Sequence, residues 1–564
     1  MFAVAFFFKV LSPTTCGQIG RALVAEGCEL PSVIEIARCR RARDFDRLEF
    51  RHTPLLQRVE RYQFTIPVAD ADGLGVKDRS QEMVLPHELF AYLHEHSPAF
   101  FHHTFGTDEQ LADFWRRQDP SRFGRHPVLA HCDPSRTVPL QLYGDNVAVC
   151  KTVNCLVMLF RSCASFRLPA LESLLPISST VLKDVDRRSL AEVFSVIRWS
   201  MNVMASGVFP DRDYRGNEWD RPEDARRRAV AGTPLADGYA GVFWEAVGDW
   251  EWIAQSFGLD VWQKYYLCRE ICHRCFACID GPYSYRTLEY DSPIWAPEAR
   301  RFLADLLAAV QPPPPLVLFD GFELDNGSLL WDWMHLSPLG LQHKAAGACL
   351  VELCIEGRFG RFAGQWKIRT GIALKRAYSE FTAWARNRRL LHSQQQFTAA
   401  SLSVADGIAD PRHLKGKAHN LMCVTKWLAF ILADDQATAH SRSRSRVMFA
   451  LAELDTLFSA AGMWLNDAEV TQVELCRSVL FPSWRLLYEE ARGERWPIIP
   501  KHHACMHVLK DCVETRRNPA SYWCFAGEHL MGLCKRSLGM QFQRGIERRM
   551  LRAALFRLSV AAGG

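Results

Sequence analysis

The chain has 564 residues and a mass of 64.3 kDa, which is long enough for two or more cores of ordinary domain size. Its hydrophobic content of 48% excludes wholesale disorder, and a net charge of +5 is too small to establish a polyanion partner unless that charge is concentrated on one face. Nineteen cysteines spread through apparent helices are typical of reduced, buried thiols in a reducing compartment. No run of about 18 apolar residues occurs, which argues against a membrane-spanning helix.

The first 135 residues contain no motif with recognisable chemistry. Residues 1–10 are apolar but lack a basic leading segment, so they resemble a buried strand more than a signal peptide. The adjacent side chains of His102 and His103 diverge on a helix or a strand, which favours a packed helix end over a ligand pair. We therefore expect residues 1–135 to form an N-terminal mixed region.

A first candidate for metal binding is Asp145. The β-type run from Val138 to Tyr143 stops at Gly144-Asp145, which predicts a carboxylate at the end of a strand. The glycine before it allows close approach of the backbone. The alternative interpretation is a turn aspartate that caps the next element.

A second carboxylate follows the same pattern at Asp249. An apolar run from residue 241 ends at Gly248-Asp249, and a helical pattern comes next. Asp320 competes for this role, because it also ends an apolar run, shortly after the four prolines at 312–315. We rank Asp249 first and Asp320 second.

A Cys-x-x-Cys pair is the clearest metal-binding signal in the sequence. Cys272 and Cys275 have the spacing of half a tetrahedral zinc site, and Cys275 with Cys278 offers an alternative register. The other half of the site is predicted at His503 and His507, since helical residues four apart project from the same face. Unmetallated thiols and core histidines remain the alternative.

Helical patterns dominate from about residue 331 to residue 515. Basic residues recur there near Trp384, Phe397 and Trp427, an arrangement that suits either a phosphate backbone or solvated helix faces. The Ser-Arg repeat at residues 441–446 is predicted to be an exposed basic loop.

A lone carboxylate, Glu528, lies in an aromatic and apolar segment near the C-terminus. Residues 520–538 are predicted to form a helix with its leucines mostly on one side, which would aim Glu528 at something other than bulk water. The alternative is a surface ion pair with Lys535.

Two aspartates at strand ends, a late helical glutamate and a long helical insertion together predict an α/β protein with an RNase H-like mixed sheet core interrupted by a large, mainly α-helical insertion. We expect residues 136–325 to form the first part of the catalytic core with the Cys-rich segment, residues 326–515 the insertion, and residues 516–564 the core-completing C-terminal helix and tail. Three converging carboxylates would suit Mg²⁺ or Mn²⁺, which prefer oxygen ligands. Pairs of such ions support hydrolysis and strand transfer at a phosphodiester.

The order and local sequence of these motifs resemble those of the CACTA-type DNA transposases, which carry an Asp-Asp-Glu catalytic triad. In that family the second aspartate precedes a Cys-x-x-Cys pair, an Asp-x-x-His follows, and the glutamate lies in an aromatic stretch before a glycine and a basic residue. The matching segments are Gly144-Asp145, Gly248-Asp249, Cys272-His273-Arg274-Cys275, Asp332-Trp333-Met334-His335, Leu339-Gly340, and the stretch from Phe525 to Arg536.

The resemblance implies a role for each matching residue. Asp145, Asp249 and Glu528 would bind the catalytic Mg²⁺ or Mn²⁺, while His335, oriented by Asp332, would support the reacting phosphate or a flipped base beside it. Cys272 and Cys275, with His503 and His507, would hold a structural zinc ion that fastens the insertion to the core.

The resemblance also implies a function: metal-dependent cleavage and transfer of DNA strands, with DNA as the partner and a nuclear or otherwise intracellular location. The resemblance is also compatible with a homo-oligomer. The alternative function is a catalytically inactive, domesticated relative that binds nucleic acid or serves as an interaction protein. A cysteine-dependent enzyme that uses Cys505 with His502 or His503 is a weaker alternative, because neighbouring Cys and His on one helix rarely form a nucleophile and base pair.

Overall fold

The structure is a computed structural model. It describes residues 13–29, 31–38, 59, 61–70, 75–126, 128–129, 131–150, 153–259, 270–300, 325, 327–402, 413–435, 437–538 and 545–562. Residues 1–10, the four prolines at 312–315 and the competing acid Asp320 lie outside these described residues.

One mixed β-sheet forms the centre of the α/β part of the chain. Its strands are β1 (Arg61–Ala69), β2 (Val76–Val84), β3 (Thr137–Cys150), β4 (Val153–Ser162), β5 (Leu175–Val181), β6 (Ala240–Gly248) and β7 (Leu329–Trp331). The spatial order is β1-β2-β5-β4-β3-β6-β7. The neighbouring strands β1, β2, β5, β4 and β3 pair antiparallel, whereas β3, β6 and β7 pair parallel. The predicted α/β class with a mixed sheet is therefore confirmed.

Helices cover both faces of this sheet. The helices of the N-terminal half, of which α1 and α2 pack on each other, are α1 (Pro13–Ala25), α2 (Pro31–Arg38), α3 (Pro86–His96), α4 (Pro98–Phe105), α5 (Asp108–Arg116), α6 (Pro120–Arg125), α7 (Ala170–Ser173), α8 (Arg187–Ser206), α9 (Ala225–Val230) and α10 (Trp250–Phe257). His102 and His103 lie in the last turn of α4, as the sequence predicts for a packed helix end. The long helix α8 begins with a capping box at Asp186 and ends at Gly207, whose φ of 68° suits glycine.

The C-terminal half of the chain is mainly helical. Its helices are α11 (Trp333–Leu336), a π-helical turn (Ser337–Gln342), α12 (His343–Glu356), α13 (Trp366–Asn387), α14 (Ala418–Ile431), α15 (Ala439–Ala460), α16 (Asp467–Glu490), α17 (Pro500–Thr515), α18 (Phe525–Leu538) and α19 (Ile546–Ala561). Helices α11 to α17 share an apolar core with the Cys-rich segment 270–294. Helices α18 and α19 instead return to the sheet and pack on one of its faces.

Side-chain alternation along the central strands explains how the sheet supports two cores. On β3, Leu140 and Leu142 belong to the core under α8, whereas Tyr143 and Val147 face the core under α18 and α19. Successive residues of a strand point to opposite faces, so a strand with helices on both sides is apolar on both. Helix α18 packs on the face of the sheet that carries Tyr143, and this packing brings Glu528 close to Asp145 on β3.

Three expectations need correction. Asp145 lies within β3, not at its end, because β3 continues into a hairpin with β4 and Asp145 itself pairs with Val157. The strands β1 and β2, from the N-terminal region, extend the same sheet. Residues 441–446 are not a loop but lie in the first two turns of α15, where Arg444 is buried and bonded to Glu356.

Candidate functional site

Asp145 and Asp249 come from neighbouring parallel strands. Gly144 on β3 is paired with Gly248 on β6, so the two aspartates follow residues that lie side by side in the sheet. Asp249 also caps α10, since its carboxylate accepts a hydrogen bond of 2.7 Å from the Trp252 amide. One carboxylate oxygen is used for the cap, which leaves the other for a ligand.

The glycine before each aspartate is required by the indole of Trp252. A Cβ atom added to Gly144 would overlap the Trp252 ring, and one added to Gly248 would lie 2.5 Å from the same ring and from the Gly144 carbonyl oxygen. Trp252 is buried and lies across the paired glycines. Neither glycine has a positive φ, so the space needed by the ring, rather than backbone freedom, explains the two Gly-Asp pairs.

Glu528 reaches the same place from the far end of the chain. It lies in the first turn of α18, and a Cβ added to the preceding Gly527 would overlap the phenol of Tyr143, so this helix end lies directly on β3. The Tyr143 hydroxyl donates to the Asp145 carboxylate over 3.4 Å. Burial, followed by the negative charges of Glu528 and Asp249, raises the pKa of Asp145 to about 7. Asp145 is therefore close enough to both other acids for their charges to act on it, although the three carboxylates do not all lie within 4.8 Å of one another.

Asp332 and His335 form a tightly organised pair beside these acids. Asp332 is buried and caps α11, and one of its carboxylate oxygens lies 2.6 Å from Nδ1 of His335. The other oxygen accepts the amide of Cys524 over 2.8 Å. Burial lowers the pKa of His335, but the bond to Asp332 more than offsets this effect, so the net shift is upward. Because Nδ1 is engaged, Nε2 is the nitrogen that remains to face a substrate.

A buried polar network, which no local sequence pattern predicts, fastens the segment before Glu528 to the sheet. Glu245 on β6 is fully buried and forms an ion pair with Arg517 at 2.5 Å. Arg161 on β4 donates to the Ser521 carbonyl over 2.7 Å and to Gln141 on β3 over 2.6 Å. Burial alone would raise the pKa of Glu245, yet Arg517 holds it below its usual value. A buried charge needs such partners, and here they fix the entry to α18.

Two further groups missed by the sequence analysis hold the turn that carries His335. Lys501, at the start of α17, donates to the His335 carbonyl over 2.7 Å. Burial lowers the pKa of Lys501 to about 8, while the charges of Asp332 and Asp249 act in the opposite direction. The buried carboxylate of Asp455 accepts from the Trp333 indole over 3.0 Å. A lysine or aspartate inside a helical pattern carries no sequence signal for such a contact.

The Cys-rich segment and α17 together form a compact, buried cluster. Its members are Cys272, Cys275, His503 and His507, whose potential ligand atoms all lie within 4.8 Å of one another. Sγ of Cys275 is 3.2 Å from Nε2 of His503, Sγ of Cys272 is 3.5 Å from Nε2 of His507, and the two Nε2 atoms are 3.1 Å apart. The first register of the Cys-x-x-Cys motif is therefore the one used. Cys278 instead bonds to the Asp280 carbonyl.

These distances suit a metal ion. Zinc bonds of about 2.3 Å to sulfur and about 2.0–2.1 Å to nitrogen place tetrahedral ligand atoms roughly 3.3–3.8 Å apart. Burial lowers the pKa of His507 to about 4, which keeps its imidazole in the neutral form that binds metals. Burial would raise the pKa of Cys272, but hydrogen bonds from Cys275 and the two imidazoles hold it well below the ordinary value. The cluster could hold a metal ion.

Aromatic rings surround this cluster and exclude water. Trp295 stacks on His503, with the ring centroids 5.1 Å apart, and Trp331 stacks on His507, with the ring centroids 5.0 Å apart.

The Cys-rich segment is also attached to α17 by an ion pair between Arg274 and Asp511. Cys272, Cys275 and Cys278 of the Cys-rich segment and Cys505 and Cys512 of α17 are free thiols, so the contact between segment and helix does not depend on a disulfide among them.

No family model matches the chain, and no curated protein matches it with significant similarity. Within the described residues, no helix has both the length and the hydropathy needed to cross a membrane.

Proposed function

We propose that the protein is a transposase-like nuclease that cleaves and joins DNA strands with Mg²⁺ or Mn²⁺ held by Asp145, Asp249 and Glu528. The observation that carries the proposal is the convergence of these carboxylates. They come from β3, from the end of β6 and from α18, and the charges of Glu528 and Asp249 add to burial in raising the pKa of Asp145. Glu528 is exposed, whereas Asp145 and Asp249 are partly buried. Like charges gathered in one place are typical of a site for a divalent cation.

An RNase H-like core is part of the proposal. The antiparallel strands β5, β4 and β3, followed by the parallel strands β6 and β7, have the arrangement expected of such a core. The long helix α8 connects β5 to β6 and packs on the sheet, as a crossover between strands requires. The two added strands β1 and β2 extend the edge farthest from the acids.

The charge distribution supports DNA as the partner. Residues 358–432 contain 13 Lys and Arg but only three Asp and Glu, whereas the whole chain has a net charge of +5. Arg386, Arg388 and Arg389 are exposed and form no ion pair with any described residue. Exposed guanidinium groups that form no ion pair are suited to phosphates.

Stacking of DNA bases on Trp384, Phe397 and Trp427 is not part of the proposal, because these rings are buried in the helical core. Exposed aromatic side chains among these helices include Phe449 and Phe430, of which Phe430 is 55% exposed and has the Arg388 guanidinium 4.6 Å from its ring centroid.

Each residue of the site has a separate task in this chemistry. The bound cations would supply charge stabilisation and an activated oxygen nucleophile, through ligands that are hard carboxylate oxygens. Asp332 holds the ring of His335 so that Nε2 faces the reacting phosphate, where a protonated imidazole can donate a hydrogen bond. The ion pair between Arg517 and Glu245 keeps α18, and so Glu528, on the sheet.

A structural zinc ion in the cluster of Cys272, Cys275, His503 and His507 is the second part of the proposal. Two thiolates and two imidazoles are the donor set that zinc prefers over magnesium. The ion would tie the Cys-rich segment, which follows the second acid in the chain, to α17.

The decisive experiment compares the wild type with Glu528→Gln in Mg²⁺-dependent plasmid nicking and in DNA binding. Loss of the ligand charge should reduce nicking by orders of magnitude and leave DNA affinity unchanged, since affinity depends on many phosphate contacts. Glu251→Gln is the matched control, because Glu251 is exposed on α10 close to Asp249 and its carboxylate accepts a hydrogen bond only from Gln255 among the described residues.

Wild-type protein that binds DNA with ordinary salt dependence but never nicks it would reject the nuclease and favour the inactive, DNA-binding relative. Protein that ignores DNA at low salt would reject both functions.

A further inference from the structure

The turn that carries His335 is held by a lysine from a different helix. Lys501 reaches from the second residue of α17 to two carbonyl oxygens of this turn, that of His335 at 2.7 Å and that of Leu339 at 3.3 Å. Lys501 and His335 are 166 residues apart in the chain. These bonds attach α17 to the segment that presents the imidazole.

The segment needs external bonds because it is irregular. The α-helical turn of α11 passes directly into the π-helical turn Ser337–Gln342, and Pro338 brings no amide hydrogen to the ladder. Short π-helical segments disturb regular backbone pairing and recur at functional sites. An ammonium group that donates to two carbonyls can fix such a turn in one conformation.

Close packing around the stem of Lys501 shows that the contact is specific. A Cβ atom added to Gly340 would lie 2.7 Å from Cδ of Lys501 and 3.0 Å from the His335 carbonyl oxygen. Glycine is therefore required at 340 for the lysine to reach its acceptors. This gives the Leu339-Gly340 motif a physical reason.

Lys501 also belongs to the helix that supplies half of the metal cluster. His503 and His507 follow it within two turns of α17, and the cluster fixes that helix against the Cys-rich segment. Helix α17 is thus held at the cluster and bonded to the His335 turn at its N-terminal end.

We propose that Lys501 is a positioning residue for the reaction: by holding the His335 and Leu339 carbonyls it sets where the imidazole of His335 stands relative to Asp145 and Asp249. This inference rests on the proposed function. Lys501 need not touch the substrate, because its effect passes through the backbone of the turn.

The first test is Lys501→Met, which removes the ammonium group but retains an unbranched apolar side chain. We expect single-turnover DNA cleavage to slow by about 10- to 100-fold, the usual effect of losing a group that orients a catalytic residue. DNA affinity and bound zinc should stay at the wild-type level. The matched control is Lys510→Met on the same helix, whose lysine pairs with the exposed Glu514 and makes no contact with the turn.

The second variant is Gly340→Ala, which leaves the lysine intact and displaces it sterically. It should slow cleavage to a similar extent with affinity and zinc content preserved. It also keeps the proposal testable if Lys501→Met does not fold.

Hydrogen exchange in the DNA-free protein gives a readout that does not depend on catalysis. Amides of residues 333–342 should exchange faster in both variants, while those of residues 503–512 stay as protected as in the wild type. Cleavage at the wild-type rate in both variants would overturn the role of Lys501 and leave the proposed function standing. If the wild type itself never cleaves DNA, the proposed function fails, and unchanged exchange at 333–342 would then overturn the role of Lys501 as well.

Discussion

Removal of a single sulfur ligand should show whether the buried cluster holds a structural zinc ion. We expect the wild type, purified without chelators, to contain about one zinc per chain. In Cys275→Ser the ligand set loses the sulfur that lies 3.2 Å from His503, and two buried imidazoles face an incomplete site. The variant should bind zinc more weakly and carry less of it than the wild type.

The size of the effect follows from the ligand count. A structural zinc site contributes about 10–16 kcal/mol of apparent binding free energy at neutral pH, so one ligand of four accounts for about 2.5–4 kcal/mol. For a cooperatively unfolding domain of about 150–250 residues, each kcal/mol shifts the midpoint of thermal unfolding by about 2–4 °C. We therefore expect the midpoint of Cys275→Ser to fall by about 5–16 °C.

The assay pairs metal analysis with thermal unfolding, and Cys278→Ser is its matched control. Cys278 lies in the same segment, one motif register later, but bonds to the Asp280 carbonyl outside the cluster. It should keep both the zinc and the wild-type midpoint. Wild-type protein without zinc, or equal midpoints for Cys275→Ser and Cys278→Ser, would refute the reasoning.

Three other perturbations separate binding, chemistry and stability. Arg388→Gln with Arg389→Gln should weaken DNA binding and reduce the slope of log affinity against log salt by about 2, as measured by titration at several salt concentrations. His335→Ala should slow cleavage by about 10- to 100-fold in a single-turnover assay, less than the loss of a metal ligand does, with DNA affinity unchanged. Arg517→Ala should lower the free energy of unfolding by about 3–5 kcal/mol in denaturant titration, because it leaves Glu245 charged and unpaired in the interior.

The double variant Arg116→Gln with Arg117→Gln is the matched control for DNA binding. It removes two exposed arginines at the end of α5 that pair with Asp113, and it should leave DNA binding intact. An equal loss of affinity in both double variants would mean that the protein binds DNA through its overall charge alone. A His335→Ala variant that cleaves normally would remove that residue from the mechanism, and an Arg517→Ala variant as stable as the wild type would remove the buried ion pair from the account of stability.

Patterns that depend on neighbours along the chain could be interpreted from the sequence alone. The apolar runs ending at Gly144-Asp145 and Gly248-Asp249 predicted strands, and the spacing of His503 and His507 predicted two imidazoles on one helical face. Strand and helix periods are fixed by the backbone itself, so the sequence determines which side chains share a face. The α/β class and the mainly helical segment after residue 331 follow from the same local rules.

Contacts between distant segments were decided only by the tertiary structure. The choice of Cys275 with Cys272 over Cys278 depends on where α17 lies, and the need for glycine at 144 and 248 depends on the placement of Trp252. No local pattern specifies either contact, because the partners are brought together by packing.

Burial of charge is the other property that the sequence could not supply. Arg444 stands in a Ser-Arg repeat that is typical of an exposed loop, yet Glu352, Glu356 and Asp435 surround it in the helical core. Lys501 likewise has nothing in its local sequence that distinguishes it from an exposed basic residue of a helix. A charged side chain is stable inside a protein only where partners from other elements satisfy it, and which partners those are is a property of the fold, not of the residues beside it in sequence.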